Sequence, residues 1–315
     1  MDSSPLLFNL TSSIALEENN KIFITYFPDT LYDRIPSLLS LAATVTVLII
    51  LWITKFYRHP LHRMVFFLIF ADFLFSLVFL INMFYSPKSA AECKMLLSIS
   101  SFGRNSSLWW SVAFAHALMK IMEANDFSPM PRLMRYYYLT AVYLPIGITL
   151  SFVLTPMVDY NPDIQRCGRY DTVGSFNFVY FLVGGVPLTT CCLLSIYFYM
   201  RTGCRLKALF AKGSAATREL LILVLYPAIM LFCWGPSMIQ SFVTMITEPD
   251  QAYMIIPKIC LGLHGFLNSL TYGLSKKTRE DLKAQCSRGK KEENWRDTDQ
   301  SITMSQELSY IGSNL

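Results

Sequence analysis

The chain has 315 residues, of which 53% are hydrophobic and only 16% are charged. Because charged residues make up about a quarter of a typical soluble domain, this composition excludes an ordinary soluble protein and favours one that spans a membrane. The formal net charge of +5 is modest, and the placement of Lys and Arg between apolar segments accounts for it without a nucleic-acid partner.

Seven apolar windows are long enough to cross the hydrocarbon core of a bilayer, which takes about 20 helical residues. In chain order they are 35–53, 64–84, 96–122, 138–157, 176–200, 220–246 and 254–274. Polar residues interrupt the third and fourth windows, so a six-span arrangement stays open, although seven spans fit the pattern better. The fold class predicted from the sequence is an all-α membrane protein built as a seven-transmembrane helix bundle.

The predicted domains follow from these windows. An extracellular N-terminal tail at 1–34 precedes the helix bundle at 35–275, and a short amphipathic helix at 276–286 and a disordered cytosolic tail at 287–315 follow it. No signal peptide is visible, so the first span is expected to direct insertion.

Lys and Arg are distributed unequally on the two sides of the windows. The loops of one side and the C-terminal tail hold 19 of the 27 basic residues, whereas the N-terminal tail and the loops of the other side hold five. Because the basic side of a membrane protein faces the cytosol, the N-terminus is predicted to be extracellular.

The cysteines divide by predicted compartment. Of eight cysteines, four lie within spans and two face the cytosol, which leaves Cys93 and Cys167 on the oxidising side. A disulfide between them is predicted, with two unpaired thiols as the alternative.

Asn9 begins an Asn-Leu-Thr glycosylation sequon on the same side. Cys286 is a candidate for reversible palmitoylation, and an unmodified surface cysteine is the equal alternative.

Charged side chains inside spans are the candidate functional residues. Asp72 lies near the middle of span two, so it should face the bundle interior and find partners; a protonated, merely tolerated Asp is the alternative. Arg104 lies about 16 Å below Cys93 along span three, too deep to reach the surface easily, on the same face as Ser100. Lys258 lies about two turns below the outer loop, so snorkelling is its first interpretation. If both cations enter one outer cavity, the ligand is anionic or strongly polar.

Span six contains a predicted hinge. Pro236 removes a backbone donor and permits a kink just past the bulky Trp234, although a passive kink is the alternative. One further residue, Gln240, completes the predicted ligand-binding set, which is Ser100, Arg104, Trp234, Gln240 and Lys258.

Span seven carries a polar stripe within an apolar run. His264, Asn268 and Tyr272 recur every fourth residue, so they share one face of a helix. Because polar side chains in a span avoid lipid, this face should point into the bundle.

Several motifs resemble those of G-protein-coupled receptors. The stretch "RHPLHRMVFFLIFAD" at 58–72 resembles the first cytosolic loop and second helix of rhodopsin-like receptors. Cys233-Trp234-Gly235-Pro236 resembles their Cys-Trp-x-Pro pattern, and Asn268-Ser269-Leu270-Thr271-Tyr272 resembles their Asn-Pro-x-x-Tyr, with Ser269 in place of the proline. Three other stretches look more like the cyclic-AMP-receptor-like branch: "NSSLWWSVAFAHALMKI", "RYYYLTAVYLP" and "LHGFLNSLTYG". Span three ends in "ALMKIMEA" and lacks the Asp-Arg-Tyr motif.

The resemblance implies a plasma-membrane receptor that binds an extracellular small-molecule or peptide ligand and engages a heterotrimeric G protein. Trp234 and Pro236 would form its moving element, and Asp72, Asn268 and Tyr272 its internal polar hub, which predicts that Asn268 lies close to Asp72. With His264 of the same stripe added, the predicted hub and switch comprises Asp72, Trp234, Pro236, His264, Asn268 and Tyr272. The second and third cytosolic loops would form the partner surface, with Arg201, Arg205, Lys207 and Arg218. The C-terminal tail would offer a site to an arrestin-like or terminus-binding partner.

Other functions are weighed against a receptor. No metal-ligand cluster, activated nucleophile or phosphate-binding glycine loop is visible, so no enzymatic activity, metal or cofactor is predicted. A small seven-span transporter or channel would use the buried polar groups to line a path. A retinal-binding photoreceptor would need a buried lysine in span seven, where Lys258 is the candidate and lies near the surface.

Overall fold

Helices make up most of the chain that the computed structural model describes. The described residues are 21–25, 31–53, 60–85, 87–124, 129–154, 159–161, 166–172, 184–210, 215–246 and 255–274. Asn9, Cys286, the amphipathic helix 276–286 and the tail 287–315 lie outside the described residues, so these assignments stay predictions.

Seven helical segments in the described residues coincide with the predicted spans. They are α1 (Leu31–Ile53), α2 (Pro60–Phe84), α3 (Ala90–Ala124), α4 (Met130–Tyr138, Leu139–Tyr143 and Leu144–Leu154 in succession), α5 (Val186–Phe210), α6 (Ala215–Ile246) and α7 (Ile255–Leu274). Each overlaps one apolar window, as expected where a backbone in lipid must satisfy its polar groups within a helix. The arrangement favours seven spans over six.

Local capping signals fix the start of α3. The Oγ of Ser89 accepts a hydrogen bond from the backbone N–H of Glu92 at 3.3 Å. The Glu92 carboxylate accepts in return from the backbone N–H of Lys88 and the hydroxyl of Tyr85, both at 2.8 Å, a pattern close to a capping box. These two hydrogen bonds lower the pKa of Glu92, so the capping carboxylate is ionised at neutral pH.

The central helix of the bundle is α3, of whose 35 residues 20 are buried. It packs against α2, α4, α5 and α6, while α1 packs against α2 and α7, and α7 against α6. Because α3 is enclosed on most sides, the polar side chains in its middle turns face protein. The buried ones are Ser100, Ser101, Asn105, Ser106, Ser107 and Ser111.

The fourth helix is interrupted by a π-helical turn at Leu139–Tyr143. Such a turn displaces backbone carbonyls from the regular hydrogen-bond ladder. The carbonyl of Ala141 accepts a hydrogen bond from the Oγ of Ser106 on α3 at 2.6 Å, and Ala141 is fully buried. The turn therefore joins α4 to α3 through a polar contact.

A small antiparallel sheet lies beside the start of α3. Its strands are β1 (Lys21–Thr25), β2 (Asp159–Asn161) and β3 (Arg166–Thr172), in the order β1-β3-β2. In this register Phe23 pairs with Tyr170, and Tyr160 pairs with Cys167. The prediction of an all-α protein misses this sheet. We call this side of the bundle the sheet end, and the other side the opposite end.

The polarity of the bundle is the reverse of that of a soluble protein. Asp72 and Asn268 are inside, with 3% and 0% of their surface exposed. Large apolar side chains lie outside, among them Leu154 at 83% and Met200 at 72% exposure. An apolar exterior around a polar interior suits a lipid environment.

Two of the described helices contain a stretch that is long and apolar enough, by length and composition alone, to cross a membrane. These stretches are Arg34–Ile53 and Pro60–Asn82. Val224–Gln240 is a shorter apolar stretch of α6. The central helix α3 is long enough, but its sequence includes the buried polar side chains named above, which lower its apolar character.

The close contact between α2 and α3 depends on Gly103. A Cβ there would lie 2.8 Å from both the carbonyl oxygen of Ala71 and the backbone nitrogen of Phe75. Because these are backbone atoms, Gly103→Ala forces the helices apart, and we expect a loss of about 1–3 kcal/mol in the free energy of unfolding. Thermal unfolding of the purified protein measures this effect.

Gly147→Ala is the matched control for that substitution. Gly147 lies on the exposed face of α4, and a Cβ there would meet no atom within 4 Å. We expect this variant to be neutral or stabilised by up to about 1 kcal/mol, as for Gly-to-Ala changes in helix interiors. Equal melting temperatures for the two variants would contradict the assigned contact.

Candidate functional site

A buried carboxylate, Asp72 of α2, lies at the centre of the bundle. Its Oδ1 accepts a hydrogen bond from the Oγ of Ser107 at 2.6 Å and lies 3.0 Å from the Nδ1 of His264. Its Oδ2 accepts from the Nδ2 of Asn268 at 2.7 Å, so the predicted contact between Asn268 and Asp72 is confirmed. We call Asp72, Ser107, His264 and Asn268 the Asp72 cluster. It joins α2, α3 and α7.

The composition of the cluster explains how a carboxylate is tolerated at this depth. Burial of an ionised carboxylate is costly unless hydrogen bonds and an opposite charge replace its water. Ser107 and Asn268, from two neighbouring helices, donate hydrogen bonds to it, and the Nδ1 of His264 lies within hydrogen-bond distance. His264, buried to the same degree as Asp72, is the neighbouring side chain that carries a positive charge when protonated.

Small residues bring α1 and α7 together beside the cluster. A Cβ added at Gly265 would overlap the Oγ of Ser40 and lie 3.0 Å from the Cβ of Asp72. The Oγ of Ser40 also accepts a hydrogen bond from Ser76 of α2 at 3.1 Å. Glycine and serine at these positions allow the close approach of helices that is typical of membrane bundles.

Trp234 of α6 lies beside the Asp72 cluster. Its indole ring packs edge-on against the imidazole of His264, with centroids 5.9 Å apart, and lies 6.2 Å from the ring of Phe75. Trp234 is 2% exposed, and its Nε1 has no hydrogen-bond partner among the described residues. Trp234 therefore connects α6 to the cluster through ring packing.

Two prolines lie inside α6, Pro227 and Pro236. Pro227 is an additional candidate hinge beside the predicted one at Pro236. Each proline lacks the N–H that would bond to the preceding turn, which weakens the helix at that point. The hydroxyl of Tyr199 on α5 donates to the carbonyl of Val224, one turn before Pro227, at 3.0 Å. The turn of α6 that Pro227 weakens is therefore also the turn that is hydrogen-bonded to α5.

Tyr272 lies on the same buried face of α7 as His264 and Asn268, but it packs against other residues. It is 4% exposed and packs with the hydrophobic core on the side of the bundle that holds Leu51, Met64 and Ile121. Its ring makes an edge contact with that of His62 on α2, with centroids 6.2 Å apart. The predicted polar face of α7 is thus buried, with Tyr272 one turn away from the Asp72 cluster.

The predicted ligand-binding residues are distributed over α3, α6 and α7. Ser100 is buried, and the half-buried Arg104 extends towards the residues just before α5, where its Nη2 lies 3.7 Å from the position of a Cβ at Gly184. Gln240 and Lys258 are half-buried on α6 and α7. Their joint action on one ligand stays a prediction.

The predicted disulfide is present between Cys93 and Cys167, whose Cα atoms are 5.4 Å apart. It joins the first turn of α3 to β3, and Leu97 and Tyr160 pack against it. Four other cysteines in the described residues are free thiols, Cys191, Cys192, Cys233 and Cys260.

Ser107 is the member of the Asp72 cluster that sequence reasoning did not select. It belongs to the polar stripe of α3 with Ser100, Arg104 and Ser111, which marks it as inward-facing. The stripe does not say which of its members meets Asp72, because that depends on the rotation and height of α2 relative to α3.

The fold and the Asp72 cluster are those of a helical bundle with an apolar exterior and a buried, hydrogen-bonded polar core, as expected of a protein that spans a membrane. No protein-family model matches the chain. The chain is 26% identical over 228 residues to the neuropeptides B/W receptor type 1 of Rattus norvegicus, and equally to that of Mus musculus. The aligned part covers 65% of this chain and 67% of each relative.

These relatives are rhodopsin-like G-protein-coupled receptors, and this distant similarity supports placing the chain in the G-protein-coupled receptor superfamily. It likewise supports a multi-pass plasma-membrane protein and a receptor over an enzyme. The resemblance to the cyclic-AMP-receptor-like branch is not confirmed.

Proposed function

We propose that this protein is a plasma-membrane receptor that binds an extracellular peptide and signals through a heterotrimeric G protein. The observation that carries the proposal is the Asp72 cluster, which joins α2, α3 and α7 and contacts Trp234 of α6. In this proposal the sheet end faces outward and the opposite end faces the cytosol, in line with the distribution of Lys and Arg.

The proposed mechanism is a shift between two arrangements of α6. The indole N–H of Trp234 and the Oδ1 of Asn268 are buried without a hydrogen-bond partner in the described part of the chain. A second helix arrangement that gives these groups hydrogen-bond partners would recover part of the cost of burying them unpaired. A ligand that binds the two arrangements with different affinities shifts their populations, and the prolines of α6 let one end of that helix move.

The proposed ligand site lies on the sheet-end side of the cluster. Ser100 and Arg104 lie two turns and one turn of α3 before Ser107, and we assign Gln240 and Lys258 to the same site from α6 and α7. Two cationic side chains favour an acidic group on the peptide, such as a carboxylate, bound by charge-assisted hydrogen bonds. Trp234 would form the floor of the site.

The test is ligand-dependent nucleotide exchange. The purified chain in lipid nanodiscs is combined with heterotrimers of each G-protein class and a panel of neuropeptides that begins with neuropeptides B and W. A peptide that accelerates exchange supports the proposal. Peptide or ion flux across reconstituted vesicles that lack G protein would instead favour the transporter or channel.

Arg104→Gln tests the assigned ligand group. Loss of a hydrogen bond to a charged group costs about 1.5–3 kcal/mol, so the potency of the active peptide should fall about 10- to 150-fold. Lys94→Gln, which removes a cation nearer the start of the same helix, is the control and should change potency less. Full potency in a well-folded Arg104→Gln receptor would remove Arg104 from the site.

A further inference from the structure

A group of charged side chains at the opposite end joins α3 to α5. The Oε1 of Glu123, in the last turn of α3, lies 3.3 Å from the Nη2 of Arg201 on α5. The Oε2 of the same carboxylate lies 2.7 Å from the Nζ of Lys120, one turn earlier on α3. The Nη1 of Arg201 donates to the hydroxyl of Tyr197 on its own helix at 3.1 Å. In this group the Glu123–Arg201 pair is the link between the two helices.

The geometry of this link leaves Arg201 open to exchange of partners. Arg201 holds two oxygens from two different residues, one on each terminal nitrogen, whereas a guanidinium binds a single carboxylate best through two parallel hydrogen bonds. The side chain of Arg201 is 53% exposed and that of Glu123 is 24% exposed, so water and a partner reach the pair. An exposed ion pair of this kind is weak and easily replaced.

The charge around the pair indicates what would replace Glu123. The loops and tail on this side of the predicted bundle hold 19 of the 27 basic residues. A surface with this excess of positive charge attracts acidic segments and disfavours basic ones. A carboxylate carried by an approaching partner satisfies both terminal nitrogens of Arg201 at once.

We propose that Glu123 is an internal competitor for Arg201. Without a ligand, Glu123 holds Arg201 against α3; in the signalling state, a carboxylate-bearing segment of the intracellular partner binds Arg201 in its place. The proposal rests on the proposed receptor function and adds to it the chemistry of one partner contact. At Arg201 the change is the replacement of one carboxylate by another.

The first test is basal nucleotide exchange by the purified receptor in nanodiscs with no ligand added. Glu123→Gln removes the competitor, so basal exchange should rise about two- to fivefold, the range that an exposed ion pair provides. Arg201→Gln removes the group for which both carboxylates compete, so exchange should fall below the wild-type rate. Lys120→Gln leaves the link between the helices intact and should change exchange less than Glu123→Gln.

The charge exchange Glu123→Arg with Arg201→Glu separates the internal contact from the partner contact. It restores an ion pair between α3 and α5 but presents a carboxylate to an acidic partner. Basal nucleotide exchange in this double variant should therefore stay as low as in Arg201→Gln. Wild-type exchange in the double variant would show that the internal pair alone matters, and would overturn the partner role of Arg201.

Amide hydrogen exchange of the receptor alone tests the internal contact without any G protein. Glu123→Gln should increase amide hydrogen exchange in the last turns of α3 and α5. Unchanged amide hydrogen exchange in these turns would overturn the proposal. If the wild-type chain stimulates no heterotrimer even with an active peptide, the proposed function fails. This result is distinct from a Glu123→Gln receptor that signals at the wild-type rate, which overturns the competitor role alone.

Discussion

Replacing Asp72 with leucine is expected to abolish ligand-dependent nucleotide exchange and to lower the melting temperature more than any other single substitution in the bundle interior. The substitution leaves the hydroxyl of Ser107, the imidazole of His264 and the amide of Asn268 buried without their acceptor. Each buried group without a partner costs about 1–3 kcal/mol, and the total is a large part of a typical stability of about 5–15 kcal/mol.

Thermal unfolding can be followed through the buried free thiols Cys191, Cys192 and Cys233, which react with a fluorescent maleimide when the bundle opens. The matched control is Ser76→Ala. It lies on α2 one turn beyond Asp72 and removes the hydrogen bond to Ser40, which should cost no more than about 1 kcal/mol. If Asp72→Leu unfolded at the same temperature as Ser76→Ala, the Asp72 cluster would not hold the helices together.

The exchange of Asp72→Asn with Asn268→Asp tests whether the cluster acts as one unit. Each single change removes or adds a charge in a buried site, whereas the double change keeps one carboxylate and one amide facing each other. The double variant should recover part of the exchange activity lost in Asp72→Asn. Additive losses would indicate that the two side chains act independently.

The helices and the inward face of α7 were predictable from the sequence because both depend on local periodicity. A helix in lipid needs an apolar run of known length, and side chains four residues apart lie on one face. The contact between Asn268 and Asp72 was predicted from the resemblance to receptor motifs, which assigns both side chains to one polar hub. The disulfide followed from the compartment of its two cysteines.

Other features depend on contacts between distant segments, which local patterns do not encode. The pairing of β1 with β3 brings together residues such as Phe23 and Tyr170, and a short strand in a polar tail gives no signal of its partner. The contact of Glu123 with Arg201 depends on how α3 and α5 are rotated. The π turn of α4 includes Ala141, whose carbonyl accepts from Ser106 of α3, and local periodicity does not predict such a contact.

Removing the disulfide between Cys93 and Cys167 is the second substitution with a large expected effect. The bond closes a loop across 74 positions of sequence, and the entropy of such a closure corresponds to about 4 kcal/mol of stability in the chain-entropy model. Cys93→Ser with Cys167→Ser should therefore lower the melting temperature and the amount of receptor at the cell surface. Cys260→Ser is the control, because Cys260 is a half-buried free thiol on α7.

The single variants should be no more stable than the double variant. Each single variant leaves one unpaired thiol on the predicted oxidising side, and this thiol can form mispaired disulfides during folding, before it is buried. Because β3 also pairs with β1, loss of the bond frees the sheet from α3, and peptide binding should weaken more than thermal stability alone predicts. Radioligand binding at a temperature well below unfolding separates these effects. Unchanged affinity in the double variant would show that the sheet does not contribute to the ligand site.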